Sequence, residues 1–236
     1  MLGTIVNVIA ILVGSLSGNF LGNKMPERLK QTLLNALGLS TLILGIHMGI
    51  KSDNLLIVMG SLLLGGIIGE GLKLDDKLNW LGQKLEQRLS NGDQTENKIS
   101  KAFVTATLVF CIGPLAIIGA ILDGLTGNSM PLFIKSILDG FAAFAFSASL
   151  GIGVILSAIP VFLYQGSISL SSIYFQNYMS TITEQSQGII ELSATGGVMI
   201  IGLGITLLGL KEIRIAVFLP AIGLAPLIVK VFELIN

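Results

Sequence analysis

The strongest constraint on this chain is a succession of long apolar runs. They cover roughly 2–22, 30–50, 54–70, 102–123, 132–149, 151–167, 188–209 and 213–234. A run of about 18 or more apolar residues is long enough to cross a bilayer as a helix. The expectation is an all-α fold, a polytopic transmembrane bundle of about eight spans, with residues 1–236 forming a single membrane domain. Charged residues make up 12% of the chain, against about 25% in soluble domains. They are concentrated between Glu70 and Lys101, so the runs are more apolar than the average. The break between the fifth and sixth runs is the least marked: Ala148-Ser149-Leu150-Gly151-Ile152-Gly153 has a glycine pair but no polar loop. A tight turn and one long broken helix both fit it.

Basic residues set the sidedness. With eight spans, Lys24, Arg28, Lys30, the six basic residues from Lys73 to Lys101, Lys211 and Arg214 share one side, while Lys51, Lys135 and Lys230 lie on the other. The crowded side is expected to be cytoplasmic, with both termini outside. The first run is not expected to be a signal peptide, because its basic residues follow the apolar stretch instead of preceding it. Zero net charge argues against nucleic-acid binding. The lone Cys111 makes no disulfide framework, and the lone His47 cannot form a metal cluster by itself. No phosphate loop, HExxH, CxxC or nucleophile elbow occurs, so neither a cofactor nor an enzymatic activity is expected.

One punctuation mark is used twice. Gly22-Asn23-Lys24-Met25-Pro26 and Gly127-Asn128-Ser129-Met130-Pro131 each separate two apolar runs. Overlaying them aligns Gly14 with Gly119, Lys30 with Lys135 and Leu33 with Leu138. The chain thus reads as a first repeat at 1–101, a second at 102–187 and a final two-span hairpin at 188–236. Three spans per repeat invert the second relative to the first, an arrangement common in secondary transporters. Within the first repeat, 72–90 reads as an amphipathic cytoplasmic helix. Leu74, Leu78, Leu81, Leu85 and Leu89 share one face, and Trp80 is placed for the headgroup level. Ile173, Tyr174, Phe175, Tyr178 and Met179 form an aromatic-rich counterpart after the sixth span.

The candidate functional residues are the small, helix-breaking and polar ones inside the runs. Gly14, Gly18 and Gly22 permit close helix packing, either within the bundle or as a homodimer seam. Gly113-Pro114 and Pro220 are candidates for discontinuous helices, because proline removes a backbone donor. Asp139 lies one turn after Lys135, so the two share a helix face as an ion pair or a pathway element. Glu191 precedes Ser193-Ala194-Thr195-Gly196-Gly197, a run suited to an unwound ion or anion site. Asp123 and Glu70 end their runs and are expected at the membrane edge. Asn7, Asn35 and Gln165 are expected to hydrogen-bond between helices.

Several of these residues also carry a resemblance. Gly3-Thr4-Ile5-Val6-Asn7 forms the first block, and Cys111-Ile112-Gly113-Pro114 with Gly119 and Asp123-Gly124 the second. Lys135-Ser136 with Asp139-Gly140-Phe141, and Ser193-Ala194-Thr195-Gly196-Gly197 with Leu219-Pro220-Ala221, complete the set. Together they resemble the DUF554 family of bacterial integral membrane proteins, the YdfK/YqgA-like group, over nearly the full length. The resemblance implies a bacterial inner-membrane protein and no particular activity. At position 206, where the family suggests Asn, this chain has Thr206. The expected function is a secondary transporter or channel-like permeation protein for a small solute or ion. Its pathway is expected near mid-membrane between the repeats, involving Asn7, Gly113, Pro114, Asp123, Lys135, Asp139, Glu191, Ser193, Thr195 and Gly196. The alternative is a non-transporting scaffold or sensor that acts through the 72–100 segment.

Overall fold

Helices form wherever the apolar runs are uninterrupted, and they stop where glycine or proline intervenes. The computed structural model describes residues 1–89, 98–174, 183 and 185–235. Among these, every regular element is helical. In chain order they are α1 (Leu2–Gly22), α2 (Glu27–Gly49), α3 (Leu55–Gly71), α4 (Leu74–Leu89), α5 (Lys98–Cys111) and α6 (Pro114–Leu125). Then follow α7 (Met130–Leu150), α8 (Ala158–Tyr174), α9 (Gln187–Leu207) and α10 (Leu219–Ile235). Short 3-10 turns at Ile152–Ser157 and Ile215–Phe218 lead into α8 and α10. Six of the described helical stretches are long and apolar enough to cross a membrane, and eight if each of two bent pairs counts as one span.

Both bent pairs have a local cause. The α5–α6 pair bends by 61°. There α5 ends at Cys111, Gly113 intervenes, and Pro114 opens α6 at a position where its missing N–H is harmless. The α3–α4 pair bends by 57° at Lys73, whose φ of 52° is left-handed and ends α3. Between the fifth and sixth runs, Gly151 at φ +91° stops α7, and two separate membrane-length segments result. The two Gly-Asn-x-Met-Pro marks differ in backbone. Gly127 is left-handed at φ +70°, whereas Gly22 is still helical and Asn23 caps α1 in the right-handed region.

The chain packs as two compact units, each drawing on both halves of the sequence. One comprises Met1–Leu37, Leu78–Cys111 and Leu115–Ser180. Its backbone is the α1–α7 pair. A Cβ at Gly14 would run into the Gly140 carbonyl, at Gly18 into that of Phe144, and at Gly22 into that of Ala148. These glycines therefore face α7 of the same chain, which is the within-bundle packing of the two alternatives; a homodimer through them is not shown. Phe110 and Phe146 add an edge-to-face contact with centroids 6.4 Å apart. Within this unit Glu86 of α4 accepts from Ile99 N and Ser100 N at 3.4 and 3.3 Å, which places a carboxylate on the first turn of α5. On α4, Leu74, Leu78 and Leu85 are partly buried, while Lys77, Trp80 and Lys84 are exposed. Residues 90–97 of the 72–100 segment, and Phe175, Tyr178 and Met179 of the aromatic counterpart, lie outside the described residues.

The other unit comprises Gly38–Lys77, Ile112–Pro114 and Thr181–Asn236. Here glycines again set the approach. A Cβ at Gly197 would meet the Gly45 carbonyl at 2.7 Å, and one at Gly69 would run into that of Val217. The helix α9 is the most buried of the candidate spans.

Candidate functional site

The α1–α7–α8 unit buries a charged pair. On α1, Thr4, Asn7, Ile11 and Ser15 fall on one buried stripe at helical spacing. On α7, Lys135 and Asp139 are one turn apart, with Nζ 2.6 Å from Asp139 Oδ2. The same oxygen accepts Asn7 Nδ2 at 3.0 Å, and Asn7 Nδ2 also donates to Gln165 Oε1 on α8 at 3.3 Å. The carboxylate thereby orients the whole chain of amides. Asn7 must turn its NH₂ toward Asp139, which in turn fixes the carbonyl of Gln165 toward Asn7. What remains is Asn7 Oδ1, an acceptor, and Gln165 Nε2, a donor, both buried and, among the described residues, without a partner. Thr4 Oγ1, one turn before Asn7, and Ser169 Oγ, one turn after Gln165, are likewise unpartnered. Three expected pathway residues, Asn7, Lys135 and Asp139, are thus brought together. Gln165, expected only as an interhelical hydrogen-bonder, completes the group. Among the described residues Asn35 bonds within its own helix instead of between helices, accepting from Gln31 on the exposed face at 3.1 Å.

Asp123 belongs to a second cluster of the same unit. It is 3% exposed and so buried within the unit, near the end of α6. Its Oδ1 accepts from Ser129 Oγ at 2.6 Å and Gly3 N at 3.3 Å, and its Oδ2 lies 3.1 Å from the Met1 ammonium. The charge is buried because the start of α1 lies against the end of α6, a contact that no local pattern announces.

The remaining candidates lie in the other unit. Glu191 is fully buried and fully bonded. Its Oε2 accepts from Ser52 Oγ at 2.6 Å. Its Oε1 accepts from Asp53 N and Asn54 N at 3.2 Å each and from Gln187 Nε2 at 3.1 Å. The carboxylate clasps the α2–α3 loop, whose Asn54 also caps α3 by accepting from Leu56 N. Ser52-Asp53-Asn54 reads as a turn and cap, but nothing local in it points to residue 191. The expectation of an unwound 193–197 segment is overturned, because α9 is regular from Gln187 to Leu207. Its glycines serve packing instead. A Cβ on Gly196 would meet the Ile112 carbonyl at 3.0 Å, at the Gly113-Pro114 break. Thr195 Oγ1 is buried and unpartnered among the described residues, and Ser193 is buried on the same helix. Thr206 Oγ1 accepts from Ile213 N, and its one proton lies within reach of both the Gly202 and Lys211 carbonyls, so it pins the loop after α9.

A helical bundle that carries buried ion pairs and amides inside membrane-length spans is an integral membrane protein with a polar interior. This chain belongs to the DUF554 family, described as a protein family of unknown function, whose model matches residues 2–230. It is 28% identical to the uncharacterized membrane protein YdfK of Bacillus subtilis (strain 168), over 99% of this chain and 97% of that one. It is 30% identical to the uncharacterized protein YqgA of Escherichia coli (strain K12), over 95% of this chain and 94% of that one. No solved structure matches it.

Proposed function

We propose that the protein is a secondary transporter or channel-like permeation protein for a small solute or ion, seated in the bacterial inner membrane with both termini outside. The observation that carries this reading is the Lys135–Asp139 pair with its Asn7–Gln165 relay. Ionisable groups inside a span cost at least about 2.5 kcal/mol on insertion scales, and they ordinarily face a partner or a cavity. Here the charge pair is only part of the arrangement. The relay leaves a fixed acceptor and a fixed donor, with hydroxyls one turn away on α1 and α8. Each orphaned group costs about 1–3 kcal/mol unless a polar occupant meets it. A purely structural pair would do better with every group bonded.

Two further features support permeation. The break at Gly113-Pro114 interrupts a span, as in transporters whose broken helices face the substrate. The repeat alignment also places Gly14 and Gly119 in α1 and α6, and Leu33 and Leu138 in α2 and α7, in matching order. We take these as inverted halves, with α4 lying at the cytoplasmic interface.

The test is flux through proteoliposomes. Osmotic light scattering and tracer uptake would be run over small ions, amino acids and organic acids, so that electroneutral movement is also read. A solute whose entry needs the protein and is lost in Asp139→Asn supports the reading. Protein-dependent entry that survives this change removes the cluster from the path. Silence across the panel, together with a partner lost on deleting residues 91–98, favours a scaffold acting through 72–100.

A further inference from the structure

A second site lies on the flank of the α3–α9–α10 unit and is lined by none of the buried charged residues described above. A groove of about 860 Å³ runs along α3 from Leu62 to Gly71 and is closed on its other side by residues 211–218. Its floor is apolar: Leu62, Leu63, Ile67, Val217 and Phe218. Leu63 and Ile67 are strongly exposed, as expected where the surroundings are acyl chains. Glycine keeps the groove open, since Gly66 stands opposite the Phe218 ring and a Cβ at Gly71 would meet nothing. From Leu62 to Gly71 a helix rises about 13 Å. That is close to the half-thickness of a hydrocarbon core of about 30 Å, so the groove matches one leaflet in depth.

All of its charge gathers at one end. Glu70, Lys211, Glu212 and Arg214 line the rim where α3 finishes and α9 has ended. Arg214 holds Glu70 through both terminal nitrogens, at 2.9 and 3.4 Å. That contact leaves the remaining guanidinium N–H groups available. Lys211 and Glu212 are exposed, and among the described residues neither side chain has a protein partner. The rim therefore offers one free cation, one free anion and a partly used guanidinium, with no net charge, above a leaflet-deep apolar slot.

We infer that this groove is a binding site for a zwitterionic phospholipid with a primary-ammonium headgroup, such as a phosphatidylethanolamine. One acyl chain lies along α3. The phosphate accepts from Lys211 Nζ and the spare N–H groups of Arg214. The headgroup ammonium donates to the Glu212 carboxylate. A quaternary choline has no N–H to give Glu212, and an anionic glycerol headgroup leaves Glu212 facing the phosphate unmatched. The inference stands independently of the transport reading, because the site shares no residue with the Asp139 cluster.

The test is native mass spectrometry of the full-length protein released from an equimolar mixture of phosphatidylethanolamine, phosphatidylcholine and phosphatidylglycerol with identical chains. The expected result is retention of phosphatidylethanolamine over the other two by about fivefold or more, the effect of one well-placed rim charge. The double change Lys211→Gln and Glu212→Gln should bring the three lipids level, since both positions are exposed and away from the core. Gly66→Leu, which fills the slot, should remove retained lipid of all three kinds. Equal retention by the native chain would overturn the assignment. So would preference for phosphatidylglycerol, which would mean the bases act alone, or an ethanolamine preference that survives the double change.

Discussion

Asp139 and Glu191 are both carboxylates buried in membrane-length helices, yet their surroundings are opposite. Glu191 has both oxygens served by four donors, two of them backbone N–H groups of the loop that it holds. Asp139 takes both of its donors on one oxygen, and its neighbours Asn7 and Gln165 end in unmatched polar atoms. A fully bonded charge in a low-dielectric interior fixes structure, because every alternative position loses bonds. A partly bonded cluster keeps bonding capacity in reserve for something that comes and goes. Burial alone does not separate the two cases; the count of satisfied atoms does.

That contrast can be broken most directly at the charge pair. Replacing both members with apolar residues of similar size, Lys135→Met with Asp139→Leu, should leave thermal stability near native, since such swaps are often neutral or stabilising. Flux should nevertheless fall by about a hundredfold, the equivalent of two charge-assisted hydrogen bonds at about 1.5 kcal/mol each. Proteoliposome uptake beside thermal unfolding reads both quantities. If flux survives in a stable double variant, the cluster is only structural and the contrast disappears. Next in size is Glu191→Ala. It orphans the Asp53 N–H, the Ser52 hydroxyl and the Gln187 amide, leaves Asn54 N–H with Ser52 Oγ alone, and should cost about 3–5 kcal/mol of stability with flux per folded molecule retained. Labelling of Cys111, the single cysteine, during heating follows the other unit for comparison. A Glu191→Ala protein that is as stable as native but transports poorly would reverse the two roles.

A smaller effect is expected at Asn7. Asn7→Leu removes the relay between Asp139 and Gln165 while keeping the pair with Lys135. Flux should fall about tenfold, in line with loss of one hydrogen bond to a charged group. Gln165→Leu should act in the same direction, since it removes the terminal donor. Unchanged flux in both would confine the working part of the cluster to Lys135 and Asp139.

The spans were legible because an apolar run of membrane length has few other ways to fold, and the break at Gly113-Pro114 because proline cannot extend a helix. The Lys135–Asp139 pair was legible because i and i+4 share a face. What escaped reading depends on which helix each face meets. Gly14, Gly18 and Gly22 mark a close approach without naming α7 as the partner. Asp123 looked like a span end, but the start of α1 covers it. The Ser193–Gly197 run looked pliable, yet glycines under the Ile112 carbonyl and beside Gly45 are packing positions in an unbroken helix. The Glu191 clasp joins residues 137 to 139 positions apart. Helical periodicity carries no information at that range.

The smallest change sharpens the comparison most finely. Ser52 Oγ is the sole donor to Glu191 Oε2 among the described residues, whereas Oε1 keeps three. Ser52→Ala therefore converts Glu191 into a carboxylate served on one oxygen, as Asp139 is, without removing its charge. If complete bonding is what makes Glu191 an anchor, stability should drop by about 1–2 kcal/mol. Exchange of the Asp53 and Asn54 amides should also quicken, because the loop loses its shortest tie. An equal drop without faster exchange would place the Ser52 contribution in general packing. No drop at all would mean that one served oxygen suffices to anchor a buried carboxylate here, and then the unmatched atoms around Asp139 would no longer set it apart.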